Sequence, residues 1–291
     1  MFNGAISAII TPFRDGAVDV KALRELVEWQ IASGVDGIVP CGSTGESATL
    51  THAEHGEVIK LVVDQTRHRV PVIAGTGSNS TAEAIRLTTF AREVRADGAL
   101  LISPYYNKPT QDGLFRHYKA IANAVDLPLI VYNIPGRTGS NIAPETFGRL
   151  CEVKNIVAIK ESSGSMDQCS DILKLCGDRL TLLSGDDPLA VPLMAIGAKG
   201  VISVVTNVMP REVHEMVAAG LAGDFEQARV LHYKLLPLTR ALFVETNPIP
   251  IKQACAFMGK CTNEMRMPLL PMTLPAADRL RAIMKDLRLI D

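Results

Sequence analysis

Asn155-Ile156-Val157-Ala158-Ile159-Lys160-Glu161-Ser162-Ser163-Gly164 is the stretch on which the reading of the fold turns. Four consecutive apolar residues, Ile156 to Ile159, have the form of a strand buried on both faces, the habit of parallel sheets. A lysine follows at the downstream end, and lysine is seldom buried without a partner. Lys160 therefore either emerges into solvent as the strand ends or stands as an amine at the mouth of a parallel sheet.

Short apolar runs of the same kind recur on both sides. Ala5 to Ile10, Gly37 to Pro40, Val70 to Ala74, Ala99 to Ile102 and Leu129 to Tyr132 precede it; Leu180 to Ser184 and Gly200 to Val204 follow. Their starts lie roughly 30 residues apart until the last two, as βα units require. Helix signals fill the gaps. Asp19 is placed to cap a helix whose Leu23, Leu26, Val27 and Ile31 share one face, and Gly34 stops it. Thr51 with Glu54, and Ser80 with Glu83, read as capping boxes. Further helices are expected over 113–124, 165–176 and 188–196.

Eight strands alternating with helices predict an α/β fold, a (β/α)8 TIM barrel over 1–208. An open doubly wound sheet would carry a glycine fingerprint after its first strand; here Thr11-Pro12-Phe13 follows Ile10. Beyond Val204 only helical patterns remain (210–219, 224–242, 247–258 and 275–289), so 209–291 is read as a C-terminal helical extension packed on the barrel in the same unit.

The chain has 291 residues, 47% of them hydrophobic and 21% charged, with a formal net charge of −1. That balance supplies a large core and no electrostatic footprint for nucleic acid or an anionic membrane. No apolar run approaches the ~20 residues of a membrane span. Met1-Phe2-Asn3-Gly4 lacks the basic region of a signal peptide. The six cysteines show no zinc-like spacing and read as reduced thiols, so the expectation is a cytoplasmic protein.

Chemistry in such barrels collects at the C-terminal ends of the strands. Those ends read Cys41-Gly42-Ser43-Thr44-Gly45-Glu46, Ser103-Pro104-Tyr105-Tyr106-Asn107, Tyr132-Asn133-Ile134-Pro135-Gly136-Arg137-Thr138, Lys160-Glu161, Ser184-Gly185-Asp186-Asp187 and Ser203. Gly42-Ser43-Thr44-Gly45 is either a plain tight turn or a nest of N–H groups for a small anion. Without a lysine in the loop it is no nucleotide P-loop, and a carboxylate suits it better. Arg137 is either a surface residue of a Pro-Gly turn or a bidentate grip for a second carboxylate. An aqueous lysine keeps its proton to about pH 10.4. Apolar burial favours the neutral amine, which can form a Schiff base with a ketone.

Together these motifs resemble the lysine-dependent, Schiff-base class I aldolase superfamily, and within it the dihydrodipicolinate synthase family. The likeness is carried by Gly42 to Leu50, Pro104 to Pro109, Tyr132 to Thr138, Ile159-Lys160-Glu161, Leu183 to Asp187 and Asn247-Pro248-Ile249-Pro250, and it spans almost the whole chain. The resemblance implies a lyase condensing pyruvate with L-aspartate 4-semialdehyde on the diaminopimelate route to lysine, with no metal and no organic cofactor. Lys160 would form the imine, and Ser43, Tyr132 and Tyr106 the proton relay, with Tyr106 reaching into a neighbouring subunit. The N–H groups of Ser43 and Thr44 would hold the pyruvate carboxylate and Arg137 the semialdehyde carboxylate, while Gly185 and Ile202 line the pocket.

It also implies a homotetramer, a dimer of dimers, and feedback inhibition by L-lysine. The positions matching the lysine site are Ser47, Ala48, Leu50, His52, His55, Asn79, Glu83 and Tyr105; read alone, His52 and His55 are equally a chance pair on one helical face or half of a metal site. Ser43 stands where the family usually has threonine. Serine keeps the hydroxyl and loses the β-branch that restricts χ1. Gly-Ser-Thr-Gly-Glu also occurs in acylneuraminate lyases, so N-acetylneuraminate or a 2-keto-3-deoxy sugar acid is the rival substrate. A non-catalytic ligand-binding barrel and a zinc-dependent aldolase are more distant readings.

Overall fold

The computed structural model describes residues 2–291. Eight parallel strands form one sheet: β1 (Gly4–Ala8), β2 (Gly37–Val39), β3 (Ile73–Gly75), β4 (Gly98–Ile102), β5 (Leu129–Asn133), β6 (Ile156–Glu161), β7 (Thr181–Ser184) and β8 (Gly200–Ser203). Their order is β2-β1-β8-β7-β6-β5-β4-β3. The ends of the sheet meet through one bridge, Ile38 to Val72, flanked by Ile38 N–H to Pro71 O at 3.0 Å and Gly75 N–H to Pro40 O at 2.9 Å. The expected TIM barrel is thus formed, each strand lying within a few residues of its apolar run.

A helix follows each strand: α1 (Val20–Ala32), α2 (His52–Thr66), α3 (Thr81–Glu93), α4 (Gln111–Ala124), α5 (Pro144–Leu150), α6 (Met166–Cys176), α7 (Ala190–Ala195) and α8 (Pro210–Leu221). Their starts are fixed locally. Asp19 accepts from Ala22 N–H at 3.0 Å, and the Thr51–Glu54 capping box is complete. At Ser80 only half the box is made. The hydroxyl accepts from Glu83 N–H at 3.4 Å, but the Glu83 carboxylate is taken by Ser78 and His52.

Two features went unread in the sequence. α5 is too short for a helical period to show, and a small antiparallel hairpin, Phe13–Arg14 with Ala17–Val18, stands between β1 and α1. The helix α8 packs on β1 as the eighth of the ring. Three helices follow it: α9 (Phe225–Ala241), α10 (Ile249–Phe257) and α11 (Leu274–Asp286).

The strands divide the core in two. One side of each faces the helices; the other fills the barrel with Ile6, Ala8, Val39, Ile73, Leu100, Ile130, Tyr132, Ala158, Leu183 and Ile202. Burying an aliphatic side chain of this size contributes about 1.5–3 kcal/mol. At the N-terminal end of the barrel, Asp36 accepts from Ala5 N–H at 2.7 Å and meets His214 Nδ1 at 3.0 Å, a stabilising contact across three elements. Among the described residues no helix is long and apolar enough to cross a membrane.

Candidate active site

The two-residue period of β6 decides what Lys160 does. Ala158 faces the barrel interior and Ile159 the helices, so Lys160 points inward and Glu161 outward. Lys160 is only 7% exposed, and its strand neighbours are Tyr132 on β5 and Leu183 on β7. Its Nζ lies 4.1 Å from the centroid of the Tyr132 ring. Of the two fates open to this lysine in the sequence, the structure has the second: it stands buried above the apolar filling of the barrel.

Above it opens a cavity of about 600 Å³. Ser43 and Thr44 border it from the β2 side, Tyr132 and Arg137 from β5, Gly185 and Asp186 from β7, and Asn247 and Pro248 from the segment before α10. The turn after β2 is held by Gly45 N–H to Gly42 O at 3.1 Å and Glu46 N–H to Ser43 O at 3.2 Å. A Cβ at Gly45 would lie 3.1 Å from Cys41 N and 3.2 Å from Ile9 O, which is why glycine sits there. Among the described residues the N–H groups of Ser43 and Thr44 have no partner, as an anion nest requires.

Asn247 ties both sides of the cavity together. Its Nδ2 donates to Thr44 Oγ1 at 3.1 Å, and its carbonyl accepts from Arg137 Nη2 at 2.8 Å. Arg137 belongs to a short helix, Pro135–Thr138, and stays exposed at the rim. The loop beyond that helix is anchored by Glu161, which accepts from Asn133 Nδ2 at 3.0 Å and Ser163 N–H at 2.6 Å. Asn133 Oδ1 in turn accepts from Ile142 N–H at 3.0 Å. Burial pushes the Asp186 carboxyl up to about 6, opposed by the Lys160 ammonium and reinforced by Asp187 and Glu161.

Two of the anticipated catalytic and substrate-binding residues are placed otherwise than at the cavity wall. Ile202 lies fully buried in the barrel filling, below the cavity. Tyr106 is 90% exposed, at φ +70°, and does not border the cavity of its own chain. Asn247, Asp186 and Glu46 all line the cavity, and the sequence reading assigned a role to none of them.

The same cavity continues to the second set of residues. Ser47, Ala48, Leu50, His52, His55, Glu83 and Tyr105 border it, while Asn79 stands just outside, donating to Tyr105 O at 3.2 Å. His52 Nε2 lies 2.8 Å from Glu83 Oε1, and Arg86 approaches both. Hydrogen bonds from Ser78 first, then His52, hold the Glu83 carboxyl below the usual range. His55 donates from Nε2 to Gly75 O at 2.7 Å, and burial lowers its pKa, so it is a neutral wall residue. Among the described residues no cluster of His, Cys, Asp or Glu could hold a metal.

Residues 1–287 match the dihydrodipicolinate synthetase family. A 4-hydroxy-tetrahydrodipicolinate synthase of Geotalea uraniireducens is 60% identical over 290 residues, the full length of both chains. A chloride-inhibited dihydrodipicolinate synthase from Acinetobacter baumannii, solved in complex with pyruvate, superposes with a TM-score of 0.98 at 46% identity, over 100% of each chain. The enzyme from Cyanidioschyzon merolae, solved with lysine bound, gives 0.97 at 41% identity and 99% coverage of each. With family match, full-length relatives and fold in agreement, the chain belongs to the dihydrodipicolinate synthetase family.

Proposed function

We propose that the chain is a 4-hydroxy-tetrahydrodipicolinate synthase (EC 4.3.3.7), a lyase that condenses pyruvate with L-aspartate 4-semialdehyde in lysine biosynthesis through diaminopimelate. The observation that carries this reading is an inward-facing, 7% exposed Lys160 against Tyr132, beneath a cavity bounded by the Ser43–Thr44 turn and Arg137. Relatives named for this reaction along the full chain favour it over the sugar-acid lyases.

The chemistry follows from these positions. Once its ammonium has given up a proton, Lys160 Nζ adds to C2 of pyruvate and water leaves, forming the imine. The unpartnered N–H groups of Ser43 and Thr44 receive the pyruvate carboxylate, which fixes the reacting carbon over the lysine. Loss of a C3 proton gives the enamine, whose C3 attacks the aldehyde carbon of the semialdehyde. The new alkoxide takes up a proton through the relay of Ser43, Tyr132 and Tyr106. The substrate's own amine then adds to C2 and displaces Lys160 as the ring closes. Arg137 holds the semialdehyde carboxylate through its planar fork. Gly185 leaves room for the Lys160 stem, and Ile202 keeps the floor beneath it apolar.

Tyr106 acts in this scheme from a neighbouring subunit, in a homotetramer built as a dimer of dimers. Its exposure, and its place outside its own cavity, support that assignment. L-Lysine is the inhibitor, its ammonium and carboxylate meeting Glu83, His52 and Tyr105 with Ser47, Ala48, Leu50, His55 and Asn79 around them. The lysine-bound relative supports this reading. Barrel and helical extension act as one unit in the cytoplasm, for Asn247, in the extension, bonds to Thr44 of the barrel.

Borohydride reduction with pyruvate tests the central step. The expected product is a three-carbon adduct on the Lys160 peptide, and turnover of aspartate semialdehyde but not N-acetylmannosamine. An unmodified Lys160 in folded protein would remove the reading. Glu83→Ala should abolish inhibition by millimolar lysine while keeping turnover; inhibition unchanged in that variant would exclude the site.

A further inference from the structure

We infer that Lys252, from the C-terminal extension, is a positioning residue for the carboxylate-binding turn, acting through its buried ion pair with Glu46; this rests on the function proposed above.

Both side chains of the pair are fully buried, and the carboxylate and ammonium are in direct contact. Lys252 lies on α10 outside the cavity, with its Nζ 4.0 Å from the Phe13 ring centroid. Glu46 borders the cavity and immediately follows the Gly42–Gly45 turn. Its backbone is left-handed (φ 53°, ψ 36°), a conformation that a residue with a Cβ adopts only when its surroundings impose it. Three bonds tie that backbone to its neighbours. Its N–H donates to Ser43 O at 3.2 Å, and its carbonyl accepts from Thr49 N–H at 3.0 Å and Thr49 Oγ1 at 3.1 Å. The other carboxylate oxygen accepts from Arg266 N–H at 3.2 Å.

The side chain of Glu46 is thus anchored wholly in the extension and its backbone wholly in the turn. A displacement of the carboxylate is passed to Ser43 and Thr44, whose N–H groups must converge on one anion. Burial lowers the Lys252 pKa while the Glu46 charge raises it, so the ammonium depends on its partner. An uncharged pair of similar volume would satisfy stability as well, since buried ion pairs contribute little net folding energy. What a direct charged contact adds is a single permitted position for Glu46.

Three variants test this: Lys252→Met, the double variant Glu46→Gln/Lys252→Met, and Lys252→Arg. The double variant leaves no uncompensated charge and is the one expected to keep the parent's circular dichroism and melting temperature. In it, the pyruvate concentration that half-saturates borohydride trapping, and the KM for pyruvate, should rise between about tenfold and a hundredfold. The KM for the semialdehyde should stay within about threefold, because Arg137 is held by the Asn247 carbonyl. Lys252→Arg keeps the charge and should hold pyruvate KM well below that of Lys252→Met.

A folded double variant with the parent's pyruvate dependence would overturn the inference. So would a double variant that fails to fold, which would make the pair a requirement of the fold, or an Arg variant as impaired as Met. Absence of the pyruvate adduct in the parent protein would instead remove the proposed function.

Discussion

Gly185→Ala places a methyl group against the proposed nucleophile. The new Cβ would overlap Ser162 Oγ and lie 3.0 Å from Lys160 Cε and 3.1 Å from Lys160 Cγ. Ser162 can turn away, because its hydroxyl is buried without a partner among the described residues and has no bond to lose. Lys160 cannot give way so easily, for the Tyr132 ring lies on it at 4.1 Å. Comfortable carbon contacts are about 3.5–4.0 Å, so the lysine stem must shift by roughly half an ångström. Overpacking of this size costs about 1–3 kcal/mol. If that cost falls on the aligned conformer, trapping of pyruvate slows between about fivefold and a hundredfold.

The assay is the rate of borohydride-dependent adduct formation at saturating pyruvate, read beside the melting temperature. Gly148→Ala on α5 is the control, since its Cβ would meet only Leu175, at 3.8 Å or beyond. Adding Ser162→Gly to Gly185→Ala should recover stability and little of the rate, because the contact with Lys160 remains. Parent-like trapping by Gly185→Ala would show that Lys160 is not packed against β7, and the argument for its alignment would fail.

Asp186→Asn should stabilise the protein at pH 8 by as much as about 3 kcal/mol, because burial raises this carboxyl to about 6 and its ionisation burdens the folded state above that pH. The gain should vanish by pH 3, below the unfolded carboxylate's pKa of about 3.9; an equal gain at both pH values in urea titrations would contradict the cause. His117, lowered to about 4 by burial, should act in the opposite direction along the pH scale. The unfolded imidazole takes up a proton near pH 6.5 and the folded one only near 4, so stability present above 6.5 falls by about 3 kcal/mol across that window. His117→Asn should flatten that part of the urea-midpoint profile, and an unchanged slope would refute the assignment. Arg137→Lys should raise the semialdehyde KM about tenfold with pyruvate trapping intact, since an ammonium cannot replace the guanidinium fork; a normal KM would count against the grip.

Local regularities made much of this legible. The apolar runs gave eight strands, because a strand buried on both faces has few residues it can use. Asp19 and Thr51 announced their helices, since a cap acts within three residues of itself. Lys160 was legible as a lysine at a strand end, but its inward face was not, because an apolar run buried on both faces leaves no alternation to read. Glu46 with Lys252, and Asn247 with Thr44, could not be read, since more than two hundred residues separate each pair and no period links them. The half-made box at Ser80 shows the same limit, for Glu83 was drawn off by His52 from another helix. Nor did anything in Pro210 to Leu221 mark it as the last stave of the ring in place of the first helix of the extension; its contact with β1 decides that.

The narrow join between β2 and β3 bears on how this molecule fails when heated. Six of the eight strand junctions pair three or more residues; β7 meets β8 through Val201 and Ser184 alone, and β2 meets β3 through the Ile38–Val72 bridge and its two flanking hydrogen bonds. A cask leaks first where its planks are loosest, and the plank at Ile38 is one of these. That plank stands directly under the Gly42–Gly45 turn, so warming should cost the protein its hold on small anions while the outer helices still give their full spectroscopic signal.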